Sequence, residues 1–234
     1  GEDRDFQRRA LREFGYSGPD DPAIPRFSQF SLGGEHKAAA VPTARSNHVI
    51  TDPAALGGGG LVSRFRRNVE AIRLLKALHT DQRPPTAEEA QMLAGYTGFG
   101  GIAELAFGHH GGRDPNLRVL RQDLDGLLTP EERQSLLRST PNSHYTDGLV
   151  AAALWQGLAH LGLEKGRVLE PAAGPGWFLG LQPDSLRRSV SVAAVEMDHI
   201  AGTIARLLYP RSPVQILPFE EAALPDGFFD AVLG

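Results

Sequence analysis

Arg167–Gly180 reads "RVLEPAAGPGWFLG", an apolar run that ends on an acid and opens into a loop carrying Gly174, Gly176 and Gly180. The first half reads as a strand and the second as a tight connection at its carboxyl end. The downstream residues keep the same rhythm: a strand "SVAAVEM" (Ser191–Met197), a helix "IAGTIARLLY" (Ile200–Tyr209), a strand "VQILPF" (Val214–Phe219) and a last strand "FDAVLG" (Phe229–Gly234). A helix from about Asp147 to Leu161, with Leu149, Val150, Ala153, Leu154, Leu158 and Leu161 as its apolar positions, stands in front. Strands alternating with helices at this spacing predict a parallel sheet with right-handed crossovers, a doubly wound α/β unit over residues 142–234.

Upstream the pattern is helical. Phe65, Val69, Ile72, Leu75 and Leu78 share one face of a predicted helix, with Arg64, Arg67 and Lys76 off it. Thr86-x-x-Glu89 and Thr129-Pro130-Glu131-Glu132 are capping boxes that start two more helices. Tyr96–Ile102, "YTGFGGI", mixes aromatics with glycines and reads as a tight buried turn. Gly57–Gly60 reads as a flexible joint, because no Lys-Ser/Thr follows and no strand precedes, as a phosphate cradle requires. These features define a mainly helical region, 48–141. Residues 1–47 begin with a short helical pattern (Phe6, Ala10, Leu11, Phe14) and continue through Pro, Gly and polar clusters as an extended arm or linker.

Composition narrows the class. With 41% hydrophobic and 22% charged residues in 234 positions, the chain is expected to be globular. No apolar run approaches the ~20 residues of a membrane span, and the charged N-terminus is unlike a secretory signal, so the expected location is cytoplasmic with no membrane partner. The absence of cysteine excludes disulfides and thiolate metal sites, and the eight scattered histidines form no His-x-x-x-His pair, so no metal site is expected. A formal charge of −4 argues against a strongly basic, autonomous phosphate-binding surface. Arg64, Arg66, Arg67, Arg73 and Lys76 are the candidates for contact with DNA, although Glu70 stands at pairing distance from Arg66 and Arg73, which favours a solvated face.

The glycine loop sits where open α/β sheets bind nucleotides, and glycine lets the backbone come close to a ligand there. Glu196 ends the second strand about 20 residues beyond Gly176, the separation at which a carboxylate accepts the ribose hydroxyls of an adenosine-containing ligand. A dinucleotide loop would carry its third glycine at position 179, which is leucine. Glu170 places a second acid at the end of the first strand, where a buried carboxylate needs a cationic or hydrogen-bonding partner. The amino group of S-adenosylmethionine is such a partner.

"LEPAAGPGWF" is similar to the cofactor loop of the amino (adenine-N6) DNA methyltransferases, whose pattern is an acid, Pro, a small pair and Gly-x-Gly-x-Phe. The resemblance implies a class I methyltransferase sheet, ordered 3-2-1-4 in this partial form. It implies S-adenosylmethionine as cofactor, held by Glu170, Pro171, Gly174, Gly176 and Phe178, with Glu196 on the ribose and Met197 against the adenine. "NSHYTDGLV" resembles the segment that precedes the loop in the gamma ordering of that family and helps hold the methionine carboxylate. This brings in Tyr145 and Thr146, with Asp147 where Pro is usual. Phe219 and Glu220 take the place of the adenine-contacting acid and aromatic after the third strand, in reversed order.

The stretch "ITDPAALGGGG" together with "LAGYTGFGGI" also resembles the N-terminal region of large methyltransferase-helicase proteins of plasmids and phages, which implies a setting in DNA modification or restriction-modification. The catalytic Asn/Asp-Pro-Pro-aromatic motif of the family is expected directly after Gly234. Two consequences are expected: residues 1–234 alone transfer no methyl group, and the partners are DNA and a further polypeptide segment that completes the sheet. Two other readings stay open at this point, another Rossmann-type enzyme (NAD-dependent or acting on a small methyl acceptor) and a non-catalytic DNA-associated interaction module.

Overall fold

The computed structural model describes residues 46–108 and 115–234. The arm read at residues 1–47 therefore lies almost wholly outside the described residues. Helix α1 (Leu61–Thr80) buries Phe65, Val69, Ile72, Leu75 and Leu78 as its spacing requires, together with Ala71 and Asn68. Asn68 is the unexpected member of that face. Its amide donates to Gly98 O (2.5 Å) and its oxygen accepts from Thr97 N (2.9 Å), so an amide in the core fixes the Tyr96–Ile102 turn. Both capping boxes form as read: Thr86 opens α2 (Ala87–Ala94), and Thr129 opens α5 (Pro130–Ser139) with Pro130 in its first turn. Short α3 (Ala103–Phe107) and α4 (Pro115–Leu127) lie between them.

Helix α6 (Gly148–His160) begins at the Asp147 cap, whose carboxylate accepts from Leu149 N and Val150 N. Its buried side differs from the apolar pattern. Gly148, Ala151 and Trp155 face inward, whereas Leu149, Val150 and Leu154 are exposed and Leu161 beyond its end is 83% exposed. The physical reason is close approach. A side chain at Gly148 would overlap Pro53 O, so the helix docks on its smallest residues, and the Trp155 indole donates to Phe178 O (2.8 Å).

Strands β1 (Gly166–Glu170), β2 (Val190–Glu196), β3 (Val214–Ile216) and β4 (Ala231–Val232) form one parallel sheet in the order β3-β2-β1-β4, the expected one. The four-residue helix α7 (Trp177–Gly180) comes after the glycine loop, and α8 (His199–Leu208) connects β2 to β3. Register pairs Glu170 with Ala194 and Glu196 with Ile216, so both acids stand at the carboxyl edge. Strand order reverses at β1, which has β2 on one side and β4 on the other, and such a switch point leaves a crevice above the carboxyl ends. The helical layer and the sheet share a core in which α2 and α5 meet α8. Among the described residues no helix is long and apolar enough to cross a membrane.

Candidate functional site

The loop after β1 folds back on β2, with Ala173 N donating to Val195 O (2.9 Å) and Gly176 N to Ala173 O (2.9 Å). Gly174 (φ 54°) and Gly176 (φ 90°) take left-handed conformations that L side chains rarely adopt. The two glycines also make room for aromatic rings. A Cβ at Gly176 would overlap the ring of Tyr209, and one at Gly174 would lie 3.0 Å from the ring of Tyr145. The space where a side chain at Gly176 would stand is filled by Tyr209.

Glu196 is the hinge of the site. It is buried, one carboxylate oxygen accepts from Gly174 N (2.6 Å), and the other accepts from Asp198 N (2.7 Å). A single side chain thus ties the glycine loop to the turn after β2. Each oxygen keeps a further lone pair for a ligand hydroxyl. Asp198 caps α8 through Ile200 N (2.8 Å) and receives the Ser139 hydroxyl from the end of α5 (3.3 Å).

A cavity of about 270 Å³ opens above this junction. Tyr145, Thr146, Pro171, Phe178, Glu196, Met197, Phe219 and Glu220 all line it, so eight of the residues singled out in the sequence are brought together. Met197 and Phe219 present apolar surface on the rim, 37% and 49% exposed. Glu170, Gly174 and Gly176 do not line the cavity themselves but are the chain neighbours of Pro171, Ala173, Pro175 and Trp177, which do. The site also contains residues that the sequence reading passed over: Trp177, Ser139, Ser143 and His144 in the lining, and Asp198 beneath it. Trp177 packs edge-on against Tyr145 (5.6 Å, 76°) and donates its indole N–H to Ala94 O (2.7 Å), which fastens the wall to α2. Asp198 alone had a legible signal, as an Asp directly ahead of a helix.

The electrostatics are one-sided. Burial pushes the Glu170 carboxyl up to about 8, against the pull of the Ala172 N–H and with help from the charge of Glu196. Burial also raises Glu196 and Asp198. Glu170 Oε2 and the hydroxyls of Tyr145 and Tyr96 are buried without a hydrogen-bond partner among the described residues. Three acids and orphaned polar atoms around a cavity suit a ligand that brings positive charge and hydrogen-bond donors.

Two of the basic residues of α1 are committed to ion pairs and two to backbone carbonyls. Arg73 pairs with Asp123 of α4 (2.8 Å) and Lys76 with Glu132 of α5, so the expected pairing of Arg73 with Glu70 gives way to ties between helices. Arg67 donates to Gly58 O and Arg64 Nε to Gly59 O (3.2 Å).

No family model matches the chain. Over 180 residues, 75% of its length, it is 32% identical to the protein of Escherichia phage P1 named "Defense against restriction protein B", of which it spans 6%. It also superposes on a Listeria monocytogenes structure described as a class I S-adenosylmethionine-dependent methyltransferase. That superposition covers 73% of this chain and 58% of the other at 12% identity and a TM-score of 0.28. The superposition is too loose to argue from, and the fold rests on the strand order and register above.

Proposed function

We propose that this chain is the cofactor-binding portion of an S-adenosylmethionine-dependent DNA methyltransferase acting on adenine N6. The observation that carries the reading is the convergence on one cavity at the carboxyl edge of β1 and β2 of an adenosine-type acid, Glu196, apolar flanks, Met197 and Phe219, and the Tyr145-Thr146 segment. The orphaned Glu170 Oε2 fits the cofactor's ammonium, and the surplus of acids fits its net positive charge. When bound, the cofactor supplies an electrophilic methyl group on a sulfonium centre.

Everything else falls to the chain. Glu196 accepts the ribose hydroxyls, Met197 and Phe219 sandwich the adenine, and Tyr145 and Thr146 face the amino-acid end. Methyl transfer to an amine is governed by positioning, and extruding a base and holding its amino group needs acceptors and an aromatic platform. In the family that the sequence resembles, an Asn/Asp-Pro-Pro-aromatic motif supplies these. Likeness to a phage protein named for defense against restriction supports DNA as the acceptor, since a methylated base alters the groove edge that a nuclease reads.

Calorimetric titration tests the cofactor. S-adenosylhomocysteine is expected to bind and NAD is not, and the reverse result overturns the reading. Tritium transfer to DNA tests the reaction. Label is expected on adenine N6 with a polypeptide extended beyond Gly234 through the motif, and none with residues 1–234. Label on cytosine overturns the adenine assignment, and transfer by the 234 residues overturns the placement of the catalytic groups.

A further inference from the structure

A second cavity, about 260 Å³, adjoins the first and shares Ser143, His144, Tyr145 and Trp177 with it. Its remaining walls are Leu56, Gly57, Thr97, Gly101, Asp147 and Arg64. Among the described residues lining the two cavities, Arg64 is the one arginine or lysine, whereas Glu196, Glu220 and Asp147 line them with negative charge.

Arg64 also stands apart from its neighbours on α1. Arg73 and Lys76 are ion-paired, but among the described residues the side chain of Arg64 makes a single hydrogen bond, from Nε to Gly59 O, and no ion pair. That bond leaves both terminal nitrogens of the guanidinium for a ligand. The side chain lies between two glycine-containing segments. Gly57, at φ 69°, lies against the indole of Trp177, which brings the glycine loop down onto the wall shared by the two cavities. On the other side, Arg64 Nη1 lies 3.7 Å from where a Cβ on Gly101 would be. Asp147, the acid across the cavity, is engaged as the α6 cap by Leu149 N (2.9 Å) and Val150 N (3.4 Å).

We infer that Arg64 is a positioning residue that receives the carboxylate of the cofactor's amino-acid end where the two cavities adjoin. This rests on the cofactor reading above and adds to it the one cation that reading lacks. The cofactor's ammonium and sulfonium are matched by the acids of the first cavity, but its carboxylate would meet those acids as a like charge. The planar guanidinium of Arg64, where the two cavities share Ser143, His144, Tyr145 and Trp177, gives it a charge-assisted, two-pronged partner. The glycine joint Gly57–Gly60 then has a task, which is to seat Arg64 at the mouth of the site.

Two nucleosides separate the carboxylate from everything else: S-adenosylhomocysteine, and its decarboxylated analogue, which keeps the amine, thioether and adenosine. The wild-type chain is expected to prefer the first by about ten- to a hundredfold, the range of a charge-assisted pair. Arg64→Gln is expected to abolish that preference while leaving the affinity for the decarboxylated analogue within about twofold, and Arg64→Lys is expected to restore part of it. The analogue's affinity also reports that the variant is folded. A preference that survives Arg64→Gln, or a parallel loss for both nucleosides, overturns the inference. So does an intact preference with weakened binding of a duplex oligonucleotide, which would put Arg64 on a DNA phosphate. A wild-type chain that binds neither nucleoside overturns the cofactor reading itself, and the inference with it.

Discussion

Glu89 and Glu170 carry the same side chain in two regions of one molecule, and they are driven in opposite directions. Glu89, at the start of α2, is held down to about 2 by two hydrogen bonds from Arg83 (2.7 Å each) and by the backbone N–H of Thr86. Glu170, at the end of β1, is pushed up to about 8 by burial and keeps one oxygen without a partner. The helical layer meets most of its charges with a local answer, a cap or an ion pair. The carboxyl edge of the sheet instead leaves Glu170 and, beside the cavity, Tyr145 short of partners that a ligand can supply. Groups left in this state mark places where a protein does something other than hold itself together.

The glycines offer the strongest test of that division. Gly176→Val combines a left-handed backbone with a side chain forced into Tyr209, and a loss of ~3 kcal/mol or more is expected, enough to abolish a cooperative melt. Gly157→Val, on α6 with open space around it, is expected to change stability by less than about 0.5 kcal/mol. Thermal unfolding by circular dichroism compares the two. If Gly176→Val melts like wild type and loses only nucleoside affinity, the loop is shaped for the ligand and Tyr209 is incidental.

Glu170→Gln comes next in size, and its effect depends on pH. A carboxyl whose folded value lies above its unfolded value contributes stability that is fully present below about pH 4.5 and is lost as pH rises through about 8. Glutamine cannot ionise. The variant is therefore expected to gain on wild type steadily between pH 5 and pH 8, by on the order of a few kcal/mol, and to hold that gain above pH 8. Affinity for S-adenosylhomocysteine should move the other way, rising with pH in wild type as the carboxylate forms and staying flatter in the variant. Denaturant titrations at three pH values supply the test, and parallel stability curves would mean that folding does not raise the Glu170 carboxyl.

How much of this was legible in the sequence tracks the same boundary. Capping boxes at Thr86 and Thr129, the buried face of α1 and the strand order β3-β2-β1-β4 rest on spacing within a few residues or on alternation of elements, and the chain carries both openly. Glu196 is legible because it ends the second strand about 20 residues beyond Gly176. The misses are long-range. Trp177 reaches Ala94, Ser139 reaches Asp198, Asn68 holds the turn at Gly98, and Tyr209 fills the space beside Gly176. In each case the partner lies on another element, and no local period reports it. Helix α6 misleads for a related reason: its leucines set the pattern, but Gly148 and Ala151 decide which side fits against Pro53.

The smallest expected effect probes whether the two regions are independent. Thr86→Ala removes the side-chain acceptor for Glu89 N and opens the first turn of α2, which should lower stability by about 1 kcal/mol. The far end of α2 is the part that touches the site, through Ala94 O and the Trp177 indole, and it is anchored by the buried Ala90, Leu93 and Ala94. Fraying at the first turn dissipates over the length of a helix, because each later turn is held by its own hydrogen bonds and its own packing. Nucleoside affinity is accordingly expected to be unchanged within about twofold in this variant, at temperatures well below its melt. If affinity falls along with stability, the helical layer transmits strain to the cavity through Trp177, and the cap would then belong to the site as much as to the scaffold.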